Sequence, residues 1–278
     1  MYCQTHARLA FRMKIRRFPP KAVEAVWAYL RANGDRCYYT KLPLEMEDIR
    51  SQWYCVFDHV IPLDPNTIVL TSALINEMKS ALSEREFWFY VGQLADFMEK
   101  GRKIKKIRLA YWRRHLPQTQ EAPLPGKKPI WHNIKDKKCC ICGRTVFSLQ
   151  SKYCLRCSRF NKRMELKGFS PEAVEKIRQH LRTNGYVCQL TGLPLDTDND
   201  RSPWYCVFDY LTPGDHSTVV LTCALFSEMK SDLSWKEFTY YIRQLANFKR
   251  NNTKIRKKKL VYWYRLTSRQ RYVRSLRD

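Results

Sequence analysis

The chain repeats itself. Residues 2–115 align with residues 153–266 at a constant offset of 151, without a gap, and roughly half of the aligned positions are identical. The closest block sets WYCVFDHVIP (53–62) against WYCVFDYLTP (204–213), followed by TIVLTSALINEMKSALS (67–83) against TVVLTCALFSEMKSDLS (218–234). A period of domain size indicates tandem duplication of one module, not a solenoid of short repeats. Both copies must then share one fold, and 278 residues give room for two such domains.

Within each copy the local signals agree. PKAVEAVWAYLRANG (20–34) has proline at its start, apolar residues at helical spacing and a closing glycine, so it reads as a helix. CYYTKLPL (37–44) is short and turn-rich. WYCVF (53–57) and TIVL (67–70) read as strands, and residues 73–82 as a helix. Ser83 with Glu86 forms a capping box for a further helix that carries Phe87, Tyr90, Val91, Leu94 and Phe97 on one face. The expected fold class is α+β: two tandem ββα modules with flanking helices. Trp53, Phe57, Leu70, Leu74 and Met78 are the expected core of the first, and Cys55 and Cys206, between aromatic residues, are expected core as well.

Charge narrows the partners. Lys and Arg number 51 against 26 Asp and Glu, a net charge of +25, while 44% apolar residues suffice for a packed core. Such an excess suits a polyanion, nucleic acid above all. No run of about 18 apolar residues exists, which leaves no helical membrane span. The basic, acid-free N-terminus (1–18) is expected to be part of the fold, because it aligns with 153–169 inside the second copy. Eleven cysteines, an odd number with two CxxC pairs, point to metal in a reducing, intracellular compartment: cytoplasm or nucleoid, or an organelle.

The stretch from Asp58 to Lys79 resembles the HNH, or ββα-metal, nuclease motif. Asp58, His59, Pro62, Ile68, Asn76 and Lys79 fall on the family's positions, and the likeness spans Cys37 to Ser80. The resemblance implies a metal-dependent endonuclease on nucleic acid, DNA favoured over RNA. His59 would be the general base, Asp58 and Asn76 would hold Mg2+ or Mn2+, and Lys79 would neutralise phosphate. The residue types suit that chemistry: a hard cation takes oxygen ligands, and imidazole titrates near neutrality. The family's middle Asn is replaced by Thr67, with Asn66 one place early, so a hydroxyl or a shifted amide must brace the loop that carries His59. The family's zinc knuckle is absent around Cys37, Thr40, Ser72 and Ile75.

The second copy has Tyr210 for His59 and Ser227 for Asn76, while Asp209 and Lys230 remain. A phenol is a poor base at neutral pH. This copy is expected to be a folded, catalytically degraded duplicate that binds, with a tyrosine-based site as the other reading. One competent site per chain implies nicking by a monomer, and double-strand cleavage only by a homodimer. A rival reading is a non-catalytic nucleic-acid-binding protein, DNA or RNA, on a nuclease-derived scaffold.

Ahead of the second copy, Cys139xxCys142 and Cys154xxCys157 have the spacing of a structural zinc ribbon, with Cys140 a bystander. In the first copy only Cys3xxHis6 corresponds, so either the ribbon was lost there or the true start lies upstream. Each copy ends in a basic, aromatic tail. Arg102, Lys103, Lys105, Lys106 and Arg108, then Lys254, Arg256, Lys257, Lys258 and Lys259, with Arg156 and Arg159 of the ribbon, are the expected nucleic-acid contacts. Tyr111, Trp112, Tyr262, Trp263 and Tyr264 are placed either to stack on bases or to pack inside. The expected domains are 1–115, a linker 116–138, the ribbon 139–168, and 169–278.

Overall fold

Proline starts the first long helix and a glycine with positive φ ends it. Helix α2 (Pro20–Asn33) buries Ala22, Val26 and Leu30, and Gly34, at φ 66°, closes it by donating to the Leu30 carbonyl. The computed structural model describes residues 4–112, 138–141, 143, 144, 146 and 152–261. The linker 116–138, save Lys138, and Cys3, Cys142, Tyr262, Trp263 and Tyr264 lie outside the described residues.

The first copy runs α1 (Gln4–Ile15), α2, β1 (Cys55–His59), β2 (Ile68–Ser72), α3 (Ala73–Lys79) and α4 (Glu84–Lys100). The second repeats the order: α5 (Leu155–Leu166), α6 (Pro171–Asn184), β3 (Cys206–Tyr210), a 3-10 turn at His216–Thr218, β4 (Val219–Cys223), α7 (Ala224–Lys230) and α8 (Trp235–Asn251). Among the described residues this is an α+β fold of eight helices and two antiparallel two-stranded sheets. The registers match: Asp58 faces Val69 and His59 faces Ile68, as Asp209 faces Val220 and Tyr210 faces Val219.

Element limits shift from the sequence expectation. The first strand begins two residues later than 53–57, because Tyr54 pairs with Glu45 in a separate bridge; Asp58 and His59 are therefore its last two residues. Helix α3 stops at Lys79 and not at Leu82, since Ser80 turns to φ 49° and its N–H closes on Asn76. The N-terminal segment and its counterpart are helices, α1 burying Leu9 and Met13. The expected core residues are all buried, as are Cys55 and Cys206. The Ser83–Glu86 capping box forms, and Ser234 with Glu237 repeats it.

By packing, the chain divides into one unit of Met1–Tyr111 with Glu228–Asp278 and another of Trp112–Ser227. That division falls inside α7, not between the repeats, because α8 packs along α4 within the first unit. Two reciprocal bonds accompany the pairing: Ser80 Oγ donates to Glu228 at 3.0 Å and Ser231 Oγ to Glu77 at 2.9 Å.

Candidate active site and nucleic-acid interface

Strand β1 delivers Asp58 and His59 to the edge of the first ββα unit, and α3 closes over them. The Asp58 carboxylate is buried at 7% exposure and meets two donors. Tyr39 Oη donates to Oδ2 at 2.8 Å, and Lys79 Nζ lies 3.3 Å from Oδ1 and 3.1 Å from Oδ2. Burial, then the adjacent carboxylate, push the Tyr39 hydroxyl's pKa up, so it remains a donor. Lys79 also donates to the His59 carbonyl at 2.8 Å, clamping the backbone at the end of β1.

This corrects one expectation. Lys79 is 1% exposed, and its ammonium is turned inward onto Asp58 and His59, so in this arrangement it meets no phosphate. Burial lowers its pKa and the Asp58 charge opposes that shift. Asn76, three residues earlier and half-buried, shares its helix face. A carboxylate has about four lone-pair directions, so Asp58 can take a further partner beside Tyr39 and Lys79. One carboxylate and one carboxamide make a donor set that fits a hard cation completing its shell with water.

The His59 imidazole is half-buried, and among the described residues no hydrogen bond reaches it. Desolvation is the largest influence on it and lowers its pKa below the ordinary 6.5, against an opposing pull from Asp58. It is therefore held neutral, the form that accepts a proton. The loop behind it is braced by Thr67. Its hydroxyl oxygen accepts from Ile61 N–H at 3.2 Å and faces the Ile61 and Asp64 carbonyls at 3.2 and 3.0 Å. Asn66 bonds Asp64 instead, so of the two candidate braces the hydroxyl does the work.

The second copy keeps the scaffold and changes the chemistry. Thr218 braces the loop as Thr67 does, with Thr212 and Asp215 as partners. The buried Asp209 accepts from the N–H of Tyr210 at 2.7 Å. Tyr210 Oη sits 3.3 Å from His216 Nδ1, an imidazole that sequence reasoning passed over because it stands where the first copy has Pro65.

Three cysteines converge where the ribbon was expected. The sulfurs of Cys139, Cys154 and Cys157 lie within 4.8 Å of one another, all buried. Thiolates at the corners of a zinc tetrahedron stand about 3.8 Å apart, so this cluster can hold a metal and is compatible with zinc. Cys154 caps α5 and Cys157 lies in its first turn. Gly143, at φ 68°, turns the chain back so that its N–H reaches the Cys139 carbonyl at 2.9 Å. Cys140 is exposed.

The described parts of both basic tails, 102–112 and 252–261, run as straps laid on the helix before them. After Gly101 ends α4 in the left-handed region, one side of α4 receives the strap's backbone: Gln93 accepts from Lys105 N–H, Tyr90 from Ile107 N–H and Glu86 from Ala110 N–H. Gln244, Tyr241 and Glu237 hold Arg256, Lys258 and Val261 in the same way. Ile104 and Leu109, like Ile255 and Leu260, are buried anchors, which leaves Arg102, Lys103, Lys105, Lys106 and Arg108 exposed, as are Lys254, Arg256, Lys257, Lys258 and Lys259. Lys257 is tied down: its ammonium bonds the Pro43 carbonyl at 2.8 Å and lies 5.0 Å over the Trp53 ring. Trp112 is buried, so it packs and does not stack on bases. Within the same unit, a groove of about 450 Å3 opens just past His59, lined by Val60, Ile61, Arg85, Trp88 and Lys249 among others. Arg159 is exposed on α5 and Arg156 half-buried.

Comparison with protein families, curated proteins and solved structures returns no match to this chain.

Proposed function

We propose that the protein is a metal-dependent nuclease of the HNH-like ββα class that hydrolyses a phosphodiester bond in nucleic acid, DNA in the first instance. The observation that carries this reading is His59: an imidazole at the end of the first ββα strand, held neutral, unengaged by hydrogen bonds from the described residues, with its backbone fixed by Lys79 and Thr67. In that role His59 accepts a proton from the attacking water. Asp58 and Asn76 are the oxygen donors for Mg2+ or Mn2+, which when bound supplies charge neutralisation at the phosphate. The straps and the groove beside Trp88 hold the strand. The cysteine cluster, with Cys142 as its fourth ligand, binds structural zinc.

Nicking of supercoiled plasmid by the full chain in Mg2+ or Mn2+ tests this. His59→Ala should slow it by about 10²–10⁴-fold. Absence of nicking by the wild type, or an unchanged rate in the variant, ends the hydrolytic reading. The pairing of Asp58 with Lys79 favours a second one, a protein that binds nucleic acid without cutting it. Salt-sensitive binding with no nicking in either metal identifies that case.

A further inference from the structure

A cleft of about 680 Å3 in the unit Trp112–Ser227 gathers two of the expected nucleic-acid contacts, Arg156 and Arg159, away from the residues assigned to cutting. Its volume is that of a site for a nucleotide-sized ligand. Arg156, Arg159 and Arg163 enter it from α5 at a spacing that sets them along one helix face, and Arg144 joins from the segment after Cys139. Two of the guanidinium groups are pre-oriented. Arg163 donates to Tyr205 Oη at 3.1 Å and the Cys206 carbonyl at 2.9 Å, and lies 5.3 Å over the Phe208 ring. Arg156 lies 5.2 Å over Tyr186 and donates to Asp198 at 2.7 Å. Arg144 and Arg159 stand exposed at the mouth.

Asp198 and Asp200 also line the cleft, so among the described residues the four guanidinium groups exceed the carboxylates by two charges. The Asp198 side chain is 73% exposed, which makes its bond to Arg156 a screened surface pair that a better anion can replace. The first copy has part of this arrangement: Arg8 stands at the position of Arg159, and Arg12, which donates to the Cys55 carbonyl at 2.9 Å, at that of Arg163. But it has Thr5 where the second has Arg156, and Asp35, bonded to His6, where the second has Tyr186. The copy without the imidazole and the carboxamide therefore carries a further guanidinium group, Arg156, and an aromatic ring beneath it, at a concave site.

We propose that this cleft binds the terminal phosphate monoester of a nucleic-acid strand, with Arg144, Arg156 and Arg159 around the phosphate and Asp198 releasing Arg156 to it. A monoester carries close to two negative charges and three acceptor oxygens, which matches the excess of two, whereas a backbone diester carries one. Arginine suits the task because its planar fork meets phosphate oxygens in pairs. The assignment rests on the nucleic-acid reading above and adds to it a strand end, held by the copy that does not cut.

The test compares binding of short oligonucleotides with a 5′-phosphate, a 3′-phosphate or hydroxyl ends to the full chain, by fluorescence anisotropy. The expected result is about tenfold tighter binding of one phosphorylated form. In the double variant Arg144→Ala, Arg159→Ala that preference is lost, while the hydroxyl-ended strand loses less and melting is unchanged. Equal binding of all three strands by the wild type overturns the proposal and leaves the nucleic-acid reading standing. So does a preference that survives the double substitution. If no oligonucleotide binds, the nucleic-acid reading fails and the strand-end assignment with it. A thermal shift with inorganic phosphate, abolished in the double variant, would then assign the cleft to a free phosphate ligand.

Discussion

Glu86 ties the start of α4 to the end of the basic strap at Ala110. One carboxylate oxygen accepts from Ser83 N–H at 2.8 Å and the other from Ala110 N–H at 2.7 Å, in a side chain only 7% exposed. Glu237 does the same for Ser234 and Val261. The strap's geometry thus hangs on a buried acid, and its cations face outward because Ile104 and Leu109 are held inward.

Removing that acid should loosen the strap without destroying the core. Glu86→Ala leaves the Ser83 and Ala110 N–H groups without their partner and should cost about 2–3 kcal/mol, hydrogen bonds to charged groups being at the upper end. Urea denaturation measures the loss. Glu86→Gln, which keeps one acceptor oxygen, should cost less. A cost equal to that of an exposed substitution would show that the strap is not anchored here.

The Asp58–Lys79 pair should behave as a buried pair. Lys79→Met strands a carboxylate in the helix–sheet interface, and Asp58→Asn strands an ammonium, so each single change should destabilise by about 3–5 kcal/mol. The double variant should recover much of that, since no buried charge is left over. Additive losses in a thermodynamic cycle would mean that the two groups do not interact.

Much of this was legible in the sequence, and what was not has physical reasons. The repeat fixed the shared ββα unit, and the capping boxes and apolar faces followed from local rules that hold whatever the tertiary context. The strand limits moved because aromatic residues at 53 and 54 fit a strand but pair elsewhere, with Glu45. Lys79 was misplaced because lysine ordinarily stays in water, and here the buried Asp58 and the His59 carbonyl hold its ammonium inside. The pairing of α4 with α8 is a contact between copies, which no local pattern encodes. The Glu86, Tyr90 and Gln93 row did leave a signal: all three are identical at 237, 241 and 244, although two of them are polar residues on a buried side.

His59 should give the protein a recognisable pH signature. Its folded pKa is lowered, so below the ordinary 6.5 the unfolded chain binds more protons at this site than the folded one. Stability is then full above 6.5 and falls as pH drops from there through the folded pKa, with stability rising with pH in between. His59→Gln should remove that part of the acid sensitivity in melts at pH 5–7. Nicking should decline only below the folded pKa, at lower pH than a free imidazole would impose. A rate that tracks 6.5 or higher would show a base in a different environment.

The cysteine cluster should make folding around α5 depend on metal. Elemental analysis should find one zinc per chain, and Cys157→Ser, which removes a fully buried sulfur, should release it. Chelation should lower the melting temperature and expose the buried thiols to a thiol reagent. Full zinc retention in Cys157→Ser would place the metal elsewhere.

The straps predict how salt acts and which cations count. Each phosphate neutralised contributes about −0.9 to the slope of log K against log salt on duplex DNA, so between about 50 and 200 mM salt binding should weaken by orders of magnitude. Changing Arg102, Lys103, Lys105 and Lys106 to Gln should flatten that slope by about 2 to 4. Lys257 should be the exception in the second strap. Its ammonium is committed to the Pro43 carbonyl and the Trp53 ring, and burial lowers its pKa, so moving it to a phosphate would sacrifice both contacts. Lys257→Gln should therefore change the slope less than Lys254→Gln or Lys259→Gln. Equal effects from all three in fluorescence titrations would mean that the second strap leaves its bed on Trp53 when nucleic acid binds.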